Sequence, residues 1–256
     1  MSWSSEQYVV FEDERTRPVR DLLSAVPARD VACAIDLGCG PGNSTEVMAA
    51  RFPKAVISGL DSSADMIASA RQRLPQCQFS IARIEEWNAA GSFGLILANA
   101  SLHWVPDHEA LLPRLVGGLR AHGSLAVQMP DNLDEPAHRL MRDIAAQQPW
   151  ADKLTASVGA RTVLNSTDWY YRLLRPLCSR VDIWRTTYYH PLAGGAEAVV
   201  AWFMGSGLRP FLSPLSKPEQ DLYLSRYRAA IEKLYPALPD GTVLLPFPRL
   251  FLVATR

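Results

Sequence analysis

Between residues 15 and 26, Val19, Leu22, Leu23 and Val26 recur at the spacing of one helical face, and Pro27 ends the run. The pattern predicts an amphipathic helix. Residues 31–37 follow as a short apolar stretch without polar alternation, which reads as a buried strand of a parallel sheet. A glycine-rich turn, D-L-G-C-G-P-G, opens a helical stretch to about residue 51. Then come an apolar strand over 55–60 closed by Asp61, a helix with Ser62 or Ser63 as N-cap running to 73, and strands at 78–81 and 93–99. A helix over about 107–119 leads to Gly123, which turns the chain into a strand at 124–129. Strands alternating with helices across 130 residues predict a doubly wound α/β sheet.

The second half changes character. Proline-bounded helical pieces at about 135–147, 195–204 and 216–235 are interrupted by β-rich segments at 181–190 and 242–255. Ser216-Lys217-Pro218-Glu219 has the S-x-x-E form of a capping box with Pro in the first turn, which marks the start of the third helix. The simplest topology keeps both late β segments in the parent sheet. The helical pieces then rise as a cap over its carboxyl edge, where open α/β folds hold their ligands. On this reading residues 1–130 form the α/β core with its N-terminal helical segment. Residues 131–256 supply the remaining strands and the cap, in the same structural unit.

Composition narrows the function classes. The chain has 256 residues, 48% of them hydrophobic, enough for one large domain or one and a half. Its 26 basic groups balance its 26 acidic ones, which argues against a nucleic-acid binder working by general phosphate neutralisation. The balance is uneven along the chain: residues through Pro130 carry 11 basic and 14 acidic groups (net −3), those after it 15 and 12 (net +3). Of the cations 22 are Arg, a bias that coding preference largely explains, with anion recognition as the minority reading. Cys33, Cys39, Cys77 and Cys178 form no C-x-x-C pair and accompany no His cluster, so neither a metal site nor a disulfide framework is expected. No apolar run approaches the ~20 residues of a membrane span, and the first residues lack a signal-peptide core. The expectation is a cytoplasmic protein without membrane or nucleic-acid partners, and a monomer.

The strongest chemical signal is Asp36-Leu37-Gly38-Cys39-Gly40-Pro41-Gly42. Glycines at a strand-to-helix turn let the backbone approach a ligand closely, and the helix N-terminus behind them offers N–H groups to an anion. A dinucleotide fingerprint needs G-x-G-x-x-G, but position 43 is Asn, so the pattern is G-x-G-x-G with an acid two residues before the first Gly. Twenty-one residues after Gly40, Asp61 closes the next strand, where a carboxylate can accept both hydroxyls of a ribose.

This arrangement resembles motif I of class I S-adenosylmethionine-dependent methyltransferases. The resemblance implies a Rossmann-like fold with a seven-stranded, mostly parallel sheet, helices on both faces and a helical cap. It also implies S-adenosylmethionine as cofactor, S-adenosylhomocysteine as product and no metal. The cofactor-binding residues carried over are Asp36, Gly38, Gly40 and Asn43 in the loop, Asp61, Ser62 and Met66 after the second strand, and Arg83 and Ile84 after the third. Asn99, Ala100 and Ser101 follow after the fourth, in A-N-A-S-L-H-W, whose backbone faces the reacting sulfur in the family. Where relatives usually have an acid for the adenine amino group this chain has Arg83, which cannot accept a hydrogen bond. Either Glu85 supplies the carboxylate, or the Ile84 backbone reads the adenine edge with Arg83 over the ring.

Further segments carry the resemblance along nearly the whole chain: Tyr8-x-x-Phe11 followed by Glu14-Arg15-Thr16-Arg17-Pro18, then D-L-G-C-G-P-G-N-S-T, V-P-D-H, L-A-V-Q-M-P-D-N, V-D-I-W-R-T-T-Y-Y-H, G-L-R-P and F-P-R-L-F. Together they look like the trans-aconitate 2-methyltransferases. That implies methyl transfer to one carboxylate of a small polycarboxylate, trans-aconitate; another small acid, an acyl thioester, or a non-catalytic cofactor-binding module are the alternatives. A carboxylate with a reference pKa near ~4 is already a nucleophile at neutral pH, so no general base is needed and none is advertised. What is needed is placement, and the forked guanidinium of Arg suits the carboxylates that do not react. The candidates are Arg209, Arg249 and one of Tyr188 or Tyr189, with His103 at the transfer site; Arg15 and Arg17 lie in a segment able to fold over the cofactor. Trp184 and Trp202 are expected in the core, and Arg226 and Arg228 on a solvated helix face.

Overall fold

The computed structural model describes residues 12–27, 30–159, 161 and 163–256. The chain divides into two compact units. The first comprises the chain through Pro130 with Leu164–Arg185 and Leu250–Arg256, the second Asp131–Val163 and Thr186–Arg249. The second unit begins after Pro130, but residues 131–256 do not make one block. Residues 164–185 and 250–256 belong with the first unit because Tyr170, Leu174, Leu250 and Leu252 join its apolar core.

In the first unit, α1 (Glu12–Ser24) precedes β1 (Cys33–Leu37), α2 (Asn43–Arg51), β2 (Val56–Asp61), α3 (Ala64–Arg73), β3 (Gln78–Ile81) and β4 (Phe93–Asn99). A 3-10 turn (Leu102–Trp104), α4 (His108–Gly117), β5 (Leu119–Pro130) and α7 (Thr167–Leu174) complete it, with one end each of β6 (Arg180–Ala193) and β7 (Thr242–Thr255). The sheet has seven strands in the order β3-β2-β1-β4-β5-β7-β6. Strands β1 to β5 pair in parallel. β7 runs against β5, since His122 bonds to Arg256 and Asp131 to Pro248, rising numbers meeting falling ones. The sheet is therefore mostly parallel, as expected.

Alternation along β1 sends Ile35 and Leu37 into the main core with Ile96, Leu115 and Val127, while Asp36 faces α2 on the other side. Helices thus cover both faces. The predicted helical face of α1 is buried at Val19, Leu22 and Leu23. One boundary differs: the helix expected to reach 119 ends at Gly117, and the strand expected from 124 begins at Leu119. Phe93 pairs with Leu119 but Leu95 with Ser124, and this bulge, with His122 at φ 62°, hides the strand's first part from any alternating pattern.

The second unit holds α5 (Pro136–Ala145), α6 (Ala151–Val158), α8 (Gly195–Met204), α9 (Arg209–Leu212) and α10 (Lys217–Leu234), with residues 186–193 of β6 and 242–249 of β7. α10 packs on α5 and α8. Two of its fully buried tyrosines donate hydroxyls to α5 carbonyls, Tyr223 to Met141 (2.7 Å) and Tyr227 to Ala137 (3.2 Å). The capping box at Ser216 forms in both directions, as the S-x-x-E spacing predicts. The short α6, α7 and α9 carry too few turns to show a period in the sequence. Among the described residues no helix is long and apolar enough to cross a membrane.

Candidate functional site

Strands β1, β2, β3 and β4 end at one edge of the sheet, and the order reverses between β1 and β4. Open α/β sheets hold their ligands at this switch point. The glycine-rich turn leaves β1 there. Gly38 and Cys39 both donate backbone N–H groups to the Leu60 carbonyl (2.8 and 2.9 Å), which ties the turn to β2. Gly38 sits at φ 74°, and a Cβ on it would lie 2.5 Å from the Ser101 Cβ. Ser101 in turn donates to the Leu37 carbonyl (2.7 Å), so the loop after β4 is packed directly onto the loop after β1.

Gly40 presents the opposite surroundings. Its φ is also positive, 54°, but a Cβ there would meet nothing within 4 Å. Its N–H donates to Asp61 Oδ2 (3.0 Å), while Asp61 Oδ1 accepts from Ser63 N–H (2.9 Å). One backbone donor on each oxygen fixes the carboxylate plane and leaves further lone pairs on both. Ser63, not Ser62, is the N-cap of α3, its hydroxyl accepting from Met66 N–H at 3.4 Å. Met66 is buried and Ser62 exposed.

Asp36 is fully buried. Its Oδ2 accepts from both Ser44 and Thr45 hydroxyls at 2.7 Å, clamping the first turn of α2 to β1. Asn43 is the first residue of that helix. Asp36 Oδ1 has no hydrogen-bond partner among the described residues. Burial raises the Asp36 pKa to about 6; the two hydroxyls oppose that shift and the nearby Asp61 charge adds to it. A group with its folded pKa raised stabilises the fold most below its unfolded pKa and loses that contribution as pH rises through the folded value. Between pH 5 and 7.5 an Asp36→Asn variant is therefore expected to gain about 1 to 2 kcal/mol of unfolding free energy relative to the parent. Urea unfolding at both pH values measures it, and a difference independent of pH would contradict it. Cys39, between the glycines, is buried, and burial, then Asp36 and Asp61, pushes its thiol pKa far up, so it serves as packing.

After β3, Arg83 is exposed and pairs with Glu85 (2.8 Å). Ile84 is buried beside Gly38, and Arg114 donates to the carbonyls of both Ile84 and Glu85. After β4, Asn99 keeps a buried Oδ1 with no partner among the described residues, and Ala100 adopts φ 53° with its N–H on the Gln128 carbonyl (2.8 Å). His103 is 4% exposed and its ring lies 4.9 Å from that of Trp104. The structure thus gathers the predicted loops at one edge: Gly38 to Asn43, Asp61, Ile84, and Asn99 to His103. Tyr8, Phe11 and the side chain of Arg15 lie outside the described residues, and Arg17 is an exposed residue of α1.

The predicted acceptor residues Tyr188, Tyr189, Arg209 and Arg249 belong to the second unit. Arg249 is 4% exposed, its guanidinium 4.7 Å from the Phe247 ring centre and 5.9 Å from that of Tyr188. Tyr188 is buried and Tyr189 is 64% exposed, so only the first is near that arginine. Arg209, at the start of α9, is half-buried. Trp202 is buried against His190 (4.4 Å), whereas the half-buried Trp184 stacks on Phe251 in the first unit (4.9 Å, 8°). Arg228 lies on an exposed face and pairs with Glu197. Arg226 departs from the solvated position expected of it: its guanidinium covers the Trp150 ring at 4.9 Å and donates to Gln147 and Gln148. Sequence patterns assigned no role to Asn132, His138 or Arg161: Asn132 ends the quoted segment L-A-V-Q-M-P-D-N, and the other two lie outside any quoted motif.

Similarity to known proteins agrees with this geometry. A methyltransferase-domain family model matches residues 34–123. The chain is 50% identical over 254 residues to the trans-aconitate 2-methyltransferase of Rhodopseudomonas palustris strain BisB5, covering 99% of each chain. It is 52% identical to that of Methylobacterium nodulans over 99% of this chain and 98% of the relative. It is 50% identical to that of Yersinia pestis strain Pestoides F over 98% and 97%. Among solved structures, the YcgJ protein of a Bacillus superposes with TM-score 0.58 at 10% identity, covering 94% of this chain and 98% of that one. Phosphoethanolamine N-methyltransferase 2 of Haemonchus contortus, solved with S-adenosyl-L-methionine, gives 0.54 at 14%, covering 93% and 52%. At such identities these two establish the fold alone.

Proposed function

The chain belongs to the trans-aconitate 2-methyltransferase family, and from that membership we propose that it transfers a methyl group from S-adenosylmethionine to a carboxylate of trans-aconitate, yielding the monomethyl ester and S-adenosylhomocysteine. The residues at the sheet edge fit the cofactor. Gly40 opens onto space that a Cβ would enter, Asp61 is held by two amides with lone pairs to spare, and Asp36, next to the end of β1, keeps a buried acceptor without partner among the described residues. When bound, S-adenosylmethionine supplies an activated methyl group on a sulfonium. Asp61 is assigned to the ribose hydroxyls, and the Gly38 to Gly42 turn with Asp36 to the methionine end. Ile84 is assigned to the adenine, since Arg83 and Glu85 engage each other.

Two glycine variants separate folding from binding. Gly38→Ala combines a left-handed φ with a collision at Ser101 and is expected to cost about 3 to 5 kcal/mol of stability. Gly40→Ala meets no neighbour and should cost about 1 kcal/mol, yet weaken the cofactor at least about tenfold. Thermal unfolding and calorimetric titration of the two variants measure this; equal effects on both quantities would contradict the assignment.

The acceptor's carboxylate is its own nucleophile: the O–CH3 bond forms as the S–CH3 bond breaks, and no proton moves. The protein's work is orientation and exclusion of water. The observation that carries the acceptor half is the burial of Arg249, a permanent cation held against Phe247 and Tyr188 in the more basic half of the chain. Arg209, Tyr188 and His103 are assigned supporting positioning roles. Incubation with methyl-labelled S-adenosylmethionine and a panel of trans-aconitate, cis-aconitate, citrate, isocitrate and a malonyl thioester tests the reading. A base-labile methyl ester formed on trans-aconitate ahead of the others is expected. Preference for another acid transfers the activity to it, and no label on any acid leaves a cofactor-binding module.

A further inference from the structure

The second unit buries polar side-chain atoms that take no part in the cofactor or acceptor assignments. Asn132 is 1% exposed, and its Oδ1 accepts from Arg161 Nη1 at 3.0 Å. A guanidinium cannot accept a hydrogen bond, so the amide orientation is fixed and the other atom, Nδ2, is a donor. Nδ2 is buried and has no partner among the described residues. His138 on α5 is 5% exposed, and its Nδ1 is likewise buried without a partner among them. Arg142 stands one turn further along α5. Arg161 and Arg142 both act on His138, and Arg142 on Arg161, in the sense of like charges, with Asp131 the acid that offsets part of this at Arg161. The His138 ring also meets Phe247 at 6.5 Å, the residue beneath the Arg249 guanidinium.

A buried amide donor, a buried imidazole nitrogen that donates in its Nδ1–H tautomer, and two neighbouring guanidinium groups suit an anion. A carboxylate accepts from the Asn132 amide and is attracted by both guanidinium groups, where a water molecule gains the hydrogen bond alone. We propose that Asn132, His138, Arg142 and Arg161 form a second carboxylate site within this unit. It holds an acceptor carboxylate other than the one esterified, and so selects polycarboxylates over monoacids. The role as an acceptor subsite rests on the carboxyl-methylation reading; the anion site itself does not.

The test is calorimetric titration of tricarballylate, the saturated tricarboxylate, onto the protein saturated with S-adenosylhomocysteine. Asn132→Asp keeps the shape and gives Arg161 a carboxylate. A purely structural role for the pair would survive this change, whereas an anion would be repelled. Tricarballylate is expected to bind at least about 30-fold more weakly, with the unfolding temperature unchanged or raised. The Michaelis constant for trans-aconitate should rise in step and that for S-adenosylmethionine stay within about twofold. Should Asn132→Asp unfold, Arg161→Lys serves instead, with an expected loss of about tenfold because Lys lacks the planar fork. Unchanged tricarballylate affinity in a folded variant overturns the site, as does a parent protein that does not bind tricarballylate. If the parent methylates trans-aconitate while Asn132→Asp binds tricarballylate normally, the site fails and the function stands. If the parent methylates no acid but loses tricarballylate on this substitution, the function fails and the site stands.

Discussion

Replacing Asp61 with Ala lowers the affinity for S-adenosylmethionine by about a hundredfold. The carboxylate holds the Gly40 and Ser63 amides, one on each oxygen, and these bonds set the distance between the glycine turn and the N-terminus of α3. Its remaining lone pairs are assigned to the ribose. A hydrogen bond to a charged acceptor contributes about 1.5 to 3 kcal/mol, so losing two to the cofactor amounts to about 3 kcal/mol or more. At 1.4 kcal/mol per decade this is at least two orders of magnitude. Asp65, an exposed acid one helical turn further along, is the control: its alanine variant should bind the cofactor normally. Calorimetry on both variants decides the matter, and an Asp61→Ala affinity within about threefold of the parent would remove Asp61 from the ribose role.

Arg249→Lys raises the Michaelis constant for the acceptor by about 30- to 100-fold and leaves that for S-adenosylmethionine within about twofold. Lysine keeps the charge but has no planar fork to pair with a carboxylate and no flat face to lie over Phe247. The effect thus separates geometry from charge. Because Arg209 is only half-buried, water screens its contacts, and Arg209→Lys should change the same constant by less than about tenfold. Steady-state kinetics with each substrate varied in turn measures both variants. Equal changes in the two Michaelis constants would show that Arg249 supports the whole fold rather than the acceptor.

Much of the cofactor edge was legible in the sequence because its determinants are local. An acid near the end of one strand, two glycines at positive φ, and a second acid at the end of the next strand all lie within 26 residues. The strands at Gln78–Ile81 and Phe93–Asn99 and the capping box at Ser216 likewise carry their signals in adjacent residues. The acceptor side was legible only in part. Strand alternation requires Tyr188 and Tyr189 to face opposite ways, but which of them is buried depends on a neighbour distant in sequence, Arg249. The pairing of Asn132, the last residue of the quoted segment L-A-V-Q-M-P-D-N, with Arg161 was not legible. Neither lies in a regular element, and their meeting is a tertiary event 29 residues apart. A buried cation and an exposed one look alike in a sequence in which 22 of the 26 basic residues are arginine.

Carboxyl methylation needs a placed carboxylate and no proton acceptor. The most direct test of this is the turnover number at saturating trans-aconitate and S-adenosylmethionine, measured from pH 6.5 to 9. Above the ~4 pKa of an ordinary carboxyl group the acceptor is fully ionised, and saturation removes any effect of Asp36 on cofactor binding. The expected turnover number is level to within about twofold across this range. A tenfold rise through a single ionisation would show that a side chain takes a proton in the rate-limiting step, and would contradict it.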